Sequence, residues 1–272
     1  MTEWLSGQYD QVAREIRAAP HFLLCLDFDG TLAPIVADPA RATLPDGTNE
    51  VLASLSSRPD ITLAIVSGRS VADLRSRVKL NIILAGNHGL EVAGSRFDLC
   101  HPEAAIWQRT LHEIGGQLLA RAAGIPGALV EDKGLTASVH YRNVAPEDVD
   151  RVADLVRTVV EPHANHFRVR HGKKVLEILP RVHWNKGSAI LWILERLREE
   201  KGEASVCYVG DDVTDEIAFR ELPGAITIRV GTECPTDARF RVRSVPEVYE
   251  FLKWVAGLEA DPGKTGADRT AG

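Results

Sequence analysis

The first stretch able to do chemistry is Leu23-Leu24-Cys25-Leu26-Asp27-Phe28-Asp29-Gly30-Thr31-Leu32, an apolar run ending in two carboxylates spaced i and i+2. In extended backbone these positions share a face, so both acids are expected to point into one small volume. Acids so close repel, and one keeps its proton unless a cation intervenes. That suits one ionised nucleophile beside one general acid. Gly30 and Thr31 would offer backbone N–H groups and a hydroxyl to an anion. Asp-Gly is equally the common ending of a strand in an Asx-type turn.

Three further spots could join this pair. In Val66-Ser67-Gly68-Arg69 a hydroxyl sits where another apolar run ends, and glycine lets the backbone approach a ligand. Ser67 reads as well as a cap for a helix starting near Val71. Asn185-Lys186-Gly187 places an N-cap residue before a helix, followed by a cation that is electrostatically misplaced there unless it serves an anion. Tyr208-Val209-Gly210-Asp211-Asp212-Val213-Thr214-Asp215-Glu216 ends a third apolar run in acids. Asp212 and Asp215 also fit a capping box, whereas Asp211 occupies the strand tip. If Asp27, Asp29 and Asp211 converge against only Lys186 and Arg69, the site repels a phosphate dianion. A divalent ion would remove that conflict, and oxygen donors favour Mg²⁺ over zinc.

Positioning these residues requires strands that end together. Phe22–Leu26, Ile61–Val66, Ile82–Ala85, Val206–Val209 and Ala225–Val230 read as buried strands. They alternate with amphipathic helices over Glu50–Ser57, Val71–Val78, Lys186–Glu199 and Val213–Glu221. This is the rhythm of a doubly wound parallel α/β sheet, whose carboxyl ends bind ligands. The middle of the chain differs. It predicts a helix over Pro102–Ala123, a hairpin of Leu129–Lys133 with Thr136–Arg142, a helix over Pro146–Val160, and a hairpin of Phe167–Arg170 with Lys174–Leu179. An α-β-β-α-β-β order implies an antiparallel sheet with helices on one side. The expected organisation is a core over 1–100 and 182–259, an inserted α+β domain over 101–181, and a disordered tail over 260–272. On the expected strand 136–142, Thr136, Ser138, His140 and Arg142 share one face, and Glu131 and Lys133 share a face of its partner. Such a polar face suits sugar hydroxyls, which need donors and acceptors, or is solvated surface.

Composition closes other routes. The 272 residues are 44% hydrophobic and 26% charged, enough for a full core. A net charge of −6 and a pI near 5.9 argue against nucleic-acid binding, which needs clustered cations. The four cysteines form no C-x-x-C pair, so a reduced compartment without zinc is expected. No run reaches membrane-spanning length, and the N-terminus lacks a signal-peptide core. A soluble cytoplasmic chain follows as the expectation. Gly263-Lys264-Thr265 imitates a P-loop end, but the partner glycine position is Leu258 and no strand precedes it. His112-Glu113 lacks the second histidine of a zinc-protease helix.

The strand-tip acids, hydroxyl, lysine and further acids, in this order, resemble the haloacid-dehalogenase (HAD) type of phosphatase. The likeness narrows to trehalose-6-phosphate phosphatases through Gly86-Asn87-His88-Gly89-Leu90-Glu91, Glu131-Asp132-Lys133, His140-Tyr141-Arg142, Lys174-Val175-Leu176-Glu177-Ile178-Leu179-Pro180 and the segments above. These run in family order from about residue 22 to 221, and the insert corresponds to that family's cap. Arg181-Val182-His183-Trp184 is bulkier than the family's usual link there.

The resemblance implies Mg²⁺-dependent hydrolysis of trehalose 6-phosphate. Asp27 would become an aspartyl-phosphate, Asp29 would serve as acid and base, and Ser67 and Lys186 would hold phosphoryl oxygens. Asp27, the Asp29 carbonyl and Asp211 would bind the metal, with Asp215 in support. Gly30, Thr31 and Arg69 would complete the phosphate site, His88 and Gly89 its entrance, and Glu131, Lys133, Arg142 and Glu177 would grip the distal glucose. On the residues alone, His88 is also a turn histidine and Glu177 an edge-strand residue. The expected chain is a monomer acting on a small molecule, with neither nucleic acid nor membrane as partner. The alternatives are another sugar phosphate, such as that of sucrose or mannosyl-glycerate, and a non-catalytic sugar-phosphate sensing module.

Overall fold

The structure, a computed structural model, describes residues 2–232 and 235–259. Cys234 and the tail from Ala260 lie outside them. In chain order the strands are β1 (Glu3–Trp4), β2 (His21–Leu26), β3 (Ile61–Val66), β4 (Ile83–Gly86), β5 (Glu91–Ala93), β6 (Asp98–Cys100) and β7 (Leu129–Asp132). They continue with β8 (Ala137–His140), β9 (Phe167–Gly172), β10 (Val175–Pro180), β11 (Ala204–Gly210), β12 (Ile226–Val230) and β13 (Phe240–Val242). The helices are α1 (Tyr9–Ala18), α2 (Thr48–Ser56), α3 (Val71–Arg77), α4 (Pro102–Ile106) and α5 (Gln108–Ala122). After them come α6 (Val149–Val160), α7 (Lys186–Lys201), α8 (Val213–Glu221) and α9 (Val245–Gly257). Two compact units result: one from the chain up to Asp98 and again from Asn185, the other from Leu99–Trp184.

The first unit is built on a sheet of order β1-β13-β12-β11-β2-β3-β4-β5-β6. Pairing is parallel from β1 to β4 and turns antiparallel at β4–β5. β2 is buried along its whole length, which is why His21–Leu26 reads as a nearly unbroken apolar run rather than an alternating one. Phe22, Leu24 and Leu26 pack in one cluster with Leu52 and Leu55 of α2 and Phe251, Leu252 and Val255 of α9. Each such side chain contributes about 1.5–3 kcal/mol by leaving water. Leu23 and Cys25 alternate to the opposite side and are also fully buried, while α7 packs on β2, β3 and β11. The sheet is therefore covered on both faces. The chain leaves β2 towards β3 and β4 on one side, and β11 towards β12 and β13 on the other. Strand order thus reverses between β2 and β11, and the crevice beyond their carboxyl ends is where such sheets bind ligands.

The second unit has a four-stranded antiparallel sheet of order β7-β8-β10-β9. Ala137 and Val139 of β8, Leu176 and Ile178 of β10 and Phe167 of β9 form its core with Leu111, Ile114 and Leu118 of α5 and Val152, Val156 and Val159 of α6. The period of two thus puts one face of every strand under the helices. The helix expected over 102–123 breaks at Trp107, whose backbone leaves helical geometry (φ −94°, ψ 2°). Its ring stacks on His166 with centroids 3.7 Å apart. The strand expected over 136–142 stops at His140, and Arg142 lies in the following turn.

Candidate active site

Asp27 follows the last residue of β2, and its N–H continues the ladder to the Val209 carbonyl of β11 at 2.9 Å. Its buried carboxylate accepts a 2.7 Å bond from the Lys186 ammonium. Lys186 is the first residue of α7, whose start is fixed by the Asn185 side chain accepting from the N–H groups of Gly187 and Ser188. The ammonium also donates to Asp215 Oδ1 at 2.7 Å, so the cation at this helix start serves two buried acids.

Asp215, in the first turn of α8, anchors the group. Its Oδ1 also accepts from the Tyr208 hydroxyl at 2.5 Å, and its Oδ2 from the N–H groups of Asp211 and Asp212, both at 2.8 Å. Burial alone would raise its pKa, but the Lys186 charge and these donors hold it below the ordinary carboxylate range. Asp27 goes the other way: burial, aided by the charges of Asp215 and Asp211, raises it well above that range against the pull of Lys186. Lys186 is held protonated, the two acids outweighing its own burial.

Asp27, Asp211 and Asp215 bring a carboxylate oxygen each within 4.8 Å of one another. These three buried acids offer an all-oxygen donor set, which fits a hard divalent cation such as Mg²⁺. Asp27 and Asp211 would hold it, while Asp215, already accepting four hydrogen bonds, orients Lys186 and the Asp211 backbone. Gly30 keeps the room: at φ +85° it is left-handed, and a Cβ there would lie 2.3 Å from Asp211 Oδ2. Beside it the Thr31 hydroxyl is buried without a hydrogen-bond partner among the described residues.

Asp29 departs from the expected convergence. The two carboxylates do not share one cation-poor volume, because Arg69 takes Asp29 for itself. Its Nε and Nη2 bond the two Asp29 oxygens at 2.6 and 2.8 Å, Nη1 reaches Asp73 at 2.7 Å, and Nη2 also reaches the Pro39 carbonyl at 2.9 Å. Arg69, expected to face the phosphate, spends four of its five N–H donors on these partners. Two charges were available, and each acid received one.

Ser67 follows the last residue of β3 and is buried, its hydroxyl accepting from the Arg69 N–H at 3.2 Å. The helix cap is Ser70, which accepts from the Asp73 N–H, so the capping alternative for Ser67 falls away. Asn87 (φ 50°), His88 (φ 58°) and Gly89 (φ 92°) form a left-handed run. Such backbone costs about 1–3 kcal/mol at a non-glycine residue. It is held by Asn87 N–H to the Arg69 carbonyl and His88 N–H to the Ser67 carbonyl, at 2.7 and 2.8 Å. The His88 ring fills the place of a Gly68 side chain, a Cβ there lying 2.5 Å from its Cε1.

In the second unit the register aligns Glu131 with Ser138, Ser138 with Glu177, and Glu177 with Arg170. These four residues stand in one row on the face opposite the core. Lys133 Nζ lies 3.7 Å and His140 Nε2 3.3 Å from Glu131 Oε2. Glu177 accepts from Arg170. Arg142 is not part of this row, because its guanidinium turns to the Lys173 carbonyl at 2.9 Å.

A family model described as trehalose-phosphatase matches residues 25–245. The chain belongs to the trehalose-phosphatase family. It is 42% identical over 241 residues to a protein of Mycobacterium tuberculosis named trehalose-phosphate phosphatase, covering 85% of this chain and 60% of that one. It is 44% identical over 247 residues to an uncharacterized glycosyl hydrolase of the same organism, covering 85% of this chain but only 18% of that one. The chain therefore spans less than two thirds of either relative's length. The C-terminal domain of the Candida albicans trehalose-6-phosphate phosphatase superposes with a TM-score of 0.76 at 26% identity, covering 95% of this chain and 99% of that structure.

Tyr208 and Arg170 of this trehalose-phosphatase family member had no role in the sequence reading. Tyr208 gave a signal, since a tyrosine inside a wholly buried strand needs a partner for its hydroxyl. Arg170 gave none, because its partner is fixed only by the register of β9 on β10.

Proposed function

We propose that this chain hydrolyses trehalose 6-phosphate to trehalose and phosphate with Mg²⁺, through an aspartyl-phosphate on Asp27. The observation that carries the reading is the buried Lys186 ammonium bridging Asp27 and Asp215 where the strand order reverses. A bound Mg²⁺ would neutralise the acids and orient the phosphoryl group. An Asp27 oxygen attacks phosphorus, an O–P bond to Asp27 forms, and the bond from phosphorus to the sugar oxygen breaks. Lys186 steadies the attacking carboxylate and, with the Ser67 and Thr31 hydroxyls, the phosphoryl oxygens, whereas the Gly30 N–H, expected to serve an anion, is given to the Ala33 carbonyl at 2.7 Å. Asp29, whose side chain is 40% exposed, leaves its two-point bond to Arg69, takes up a proton from solvent and gives it to the leaving sugar oxygen. It then takes a proton from the water that attacks phosphorus, which releases phosphate and restores Asp27.

The row of Glu131, Ser138 and Glu177, with Lys133, mixes acceptors and donors as a polyol requires, and in this reading it selects the sugar. The reading takes the chain as a cytoplasmic monomer. Among the described residues the buried Cys25 and Cys207 are free thiols, which suits a reducing compartment, and no helix is long and apolar enough to cross a membrane.

Phosphate release should be measured from trehalose 6-phosphate, sucrose 6-phosphate and glucose 6-phosphate, with Mg²⁺ and with EDTA. EDTA-sensitive release from trehalose 6-phosphate alone is expected. Release only from another sugar would keep the core chemistry and discard the sugar assignment. Binding without release would mark a sensing module.

A further inference from the structure

We propose that Arg170 is a positioning residue for sugar recognition, fixing the Glu177 carboxylate for a substrate hydroxyl. This rests on the trehalose 6-phosphate reading above. Arg170 stands on β9 directly opposite Glu177 on β10. Its Nε and Nη2 both donate to one Glu177 oxygen, Oε2, at 3.0 and 2.7 Å. Two donors converging on one oxygen fix the rotation of the carboxylate, which sets where its other oxygen points. The pair is partly screened from water, the Arg170 and Glu177 side chains being 25% and 13% exposed.

Two observations separate this from an ordinary cross-strand ion pair. The row lies on the face away from the apolar core, so it is not needed to close that core. In the same row, aligned with both Glu131 and Glu177, the Ser138 hydroxyl is buried with no hydrogen-bond partner among the described residues. A buried hydroxyl left without a partner is uncommon and calls for an explanation, and a polyol bound along the row supplies one. In that setting Arg170 acts through Glu177 and need not touch the sugar.

The test is steady-state kinetics of the wild type, Arg170→Ala, Arg170→Lys, Glu177→Ala and the Arg170→Ala/Glu177→Ala double variant, on trehalose 6-phosphate and on an aryl phosphate, with thermal midpoints. Arg170→Ala should raise KM for trehalose 6-phosphate about tenfold while kcat changes less, the loss expected from a charge-assisted contact in a partly exposed place. The preference for trehalose 6-phosphate over the aryl phosphate, in kcat/KM, should fall with it. Arg170→Lys should recover part of the loss. The double variant should be no worse than Glu177→Ala, because both substitutions remove one function. Additive losses overturn the proposal. So does an equal fall on both substrates alongside a lowered thermal midpoint, or a KM within about twofold of wild type. If the wild type is inert on trehalose 6-phosphate but releases phosphate from another sugar, the substrate reading fails instead. The same variants scored on that sugar then decide for Arg170.

Discussion

Lys186 holds two carboxylates on one ammonium, and all three groups are buried. Removing the cation leaves both acids without it in low dielectric, where breaking a buried pair costs about 3–5 kcal/mol. Lys186→Met should therefore lower the thermal midpoint by several degrees as well as abolish turnover. Added Mg²⁺ should restore part of the stability but not the activity. Asp27→Asn should stay folded and lose at least about a thousandfold in kcat, since an amide cannot be the nucleophile. The residues of this cluster were legible because each sits at a strand tip or helix start with a charge that burial would otherwise forbid. The partner of Arg69 was not legible. Spacing shows that a cation is available, but only the fold shows that Asp29 comes within 2.6 Å of it.

At the scale of elements, the start of α7 is the lever on that cluster. Asn185 caps the helix and its Nδ2 also donates to Glu221 at 2.8 Å, tying α7 to the end of α8. Asn185→Ala should cost about 1 kcal/mol in stability. It should also lower kcat by roughly tenfold as Lys186 loses its fixed origin. Asn185→Ser, which can still cap, should recover most of the stability, and denaturant titration beside kinetics checks both. The central strands and α8 could be read from sequence because continuous apolar runs and 3.6-residue periodicity leave few alternatives. β1, β5, β6 and β13 are only two or three residues long and carry no period to read. The same limit misplaced Arg142: the alternation runs on past His140 in the sequence, while the chain turns there to meet the loop at Lys173.

Across the whole molecule, each unit has its own apolar core. A change from β-α rhythm to paired hairpins led the sequence to suggest an insert over 101–181, and the second compact unit of the structure runs over Leu99–Trp184. What the sequence did not show was the transverse register of that insert, which no single strand encodes. In the first unit, far from the strand tips, His21 at the start of β2 is buried against Thr62, Nε2 to Oγ1 at 2.9 Å. Burial, helped by Lys201, lowers its pKa to about 4. The unfolded chain thus binds a proton near pH 6.5 that the folded chain refuses. Stability from this residue is complete above about pH 6.5 and is lost as pH falls towards 4. The thermal midpoint should fall across that window, and His21→Gln should flatten the slope there.

In the proposed reaction Asp27, held by Lys186, carries the phosphoryl group during turnover. This is tested by mixing the protein with trehalose 6-phosphate and Mg²⁺, quenching in acid at short times and mapping the peptides by mass spectrometry. A transient phosphoryl group is expected on the peptide containing Asp27, absent with EDTA and absent in Asp27→Asn. Steady release of phosphate with no phosphoryl group on that peptide at any quench time would contradict it.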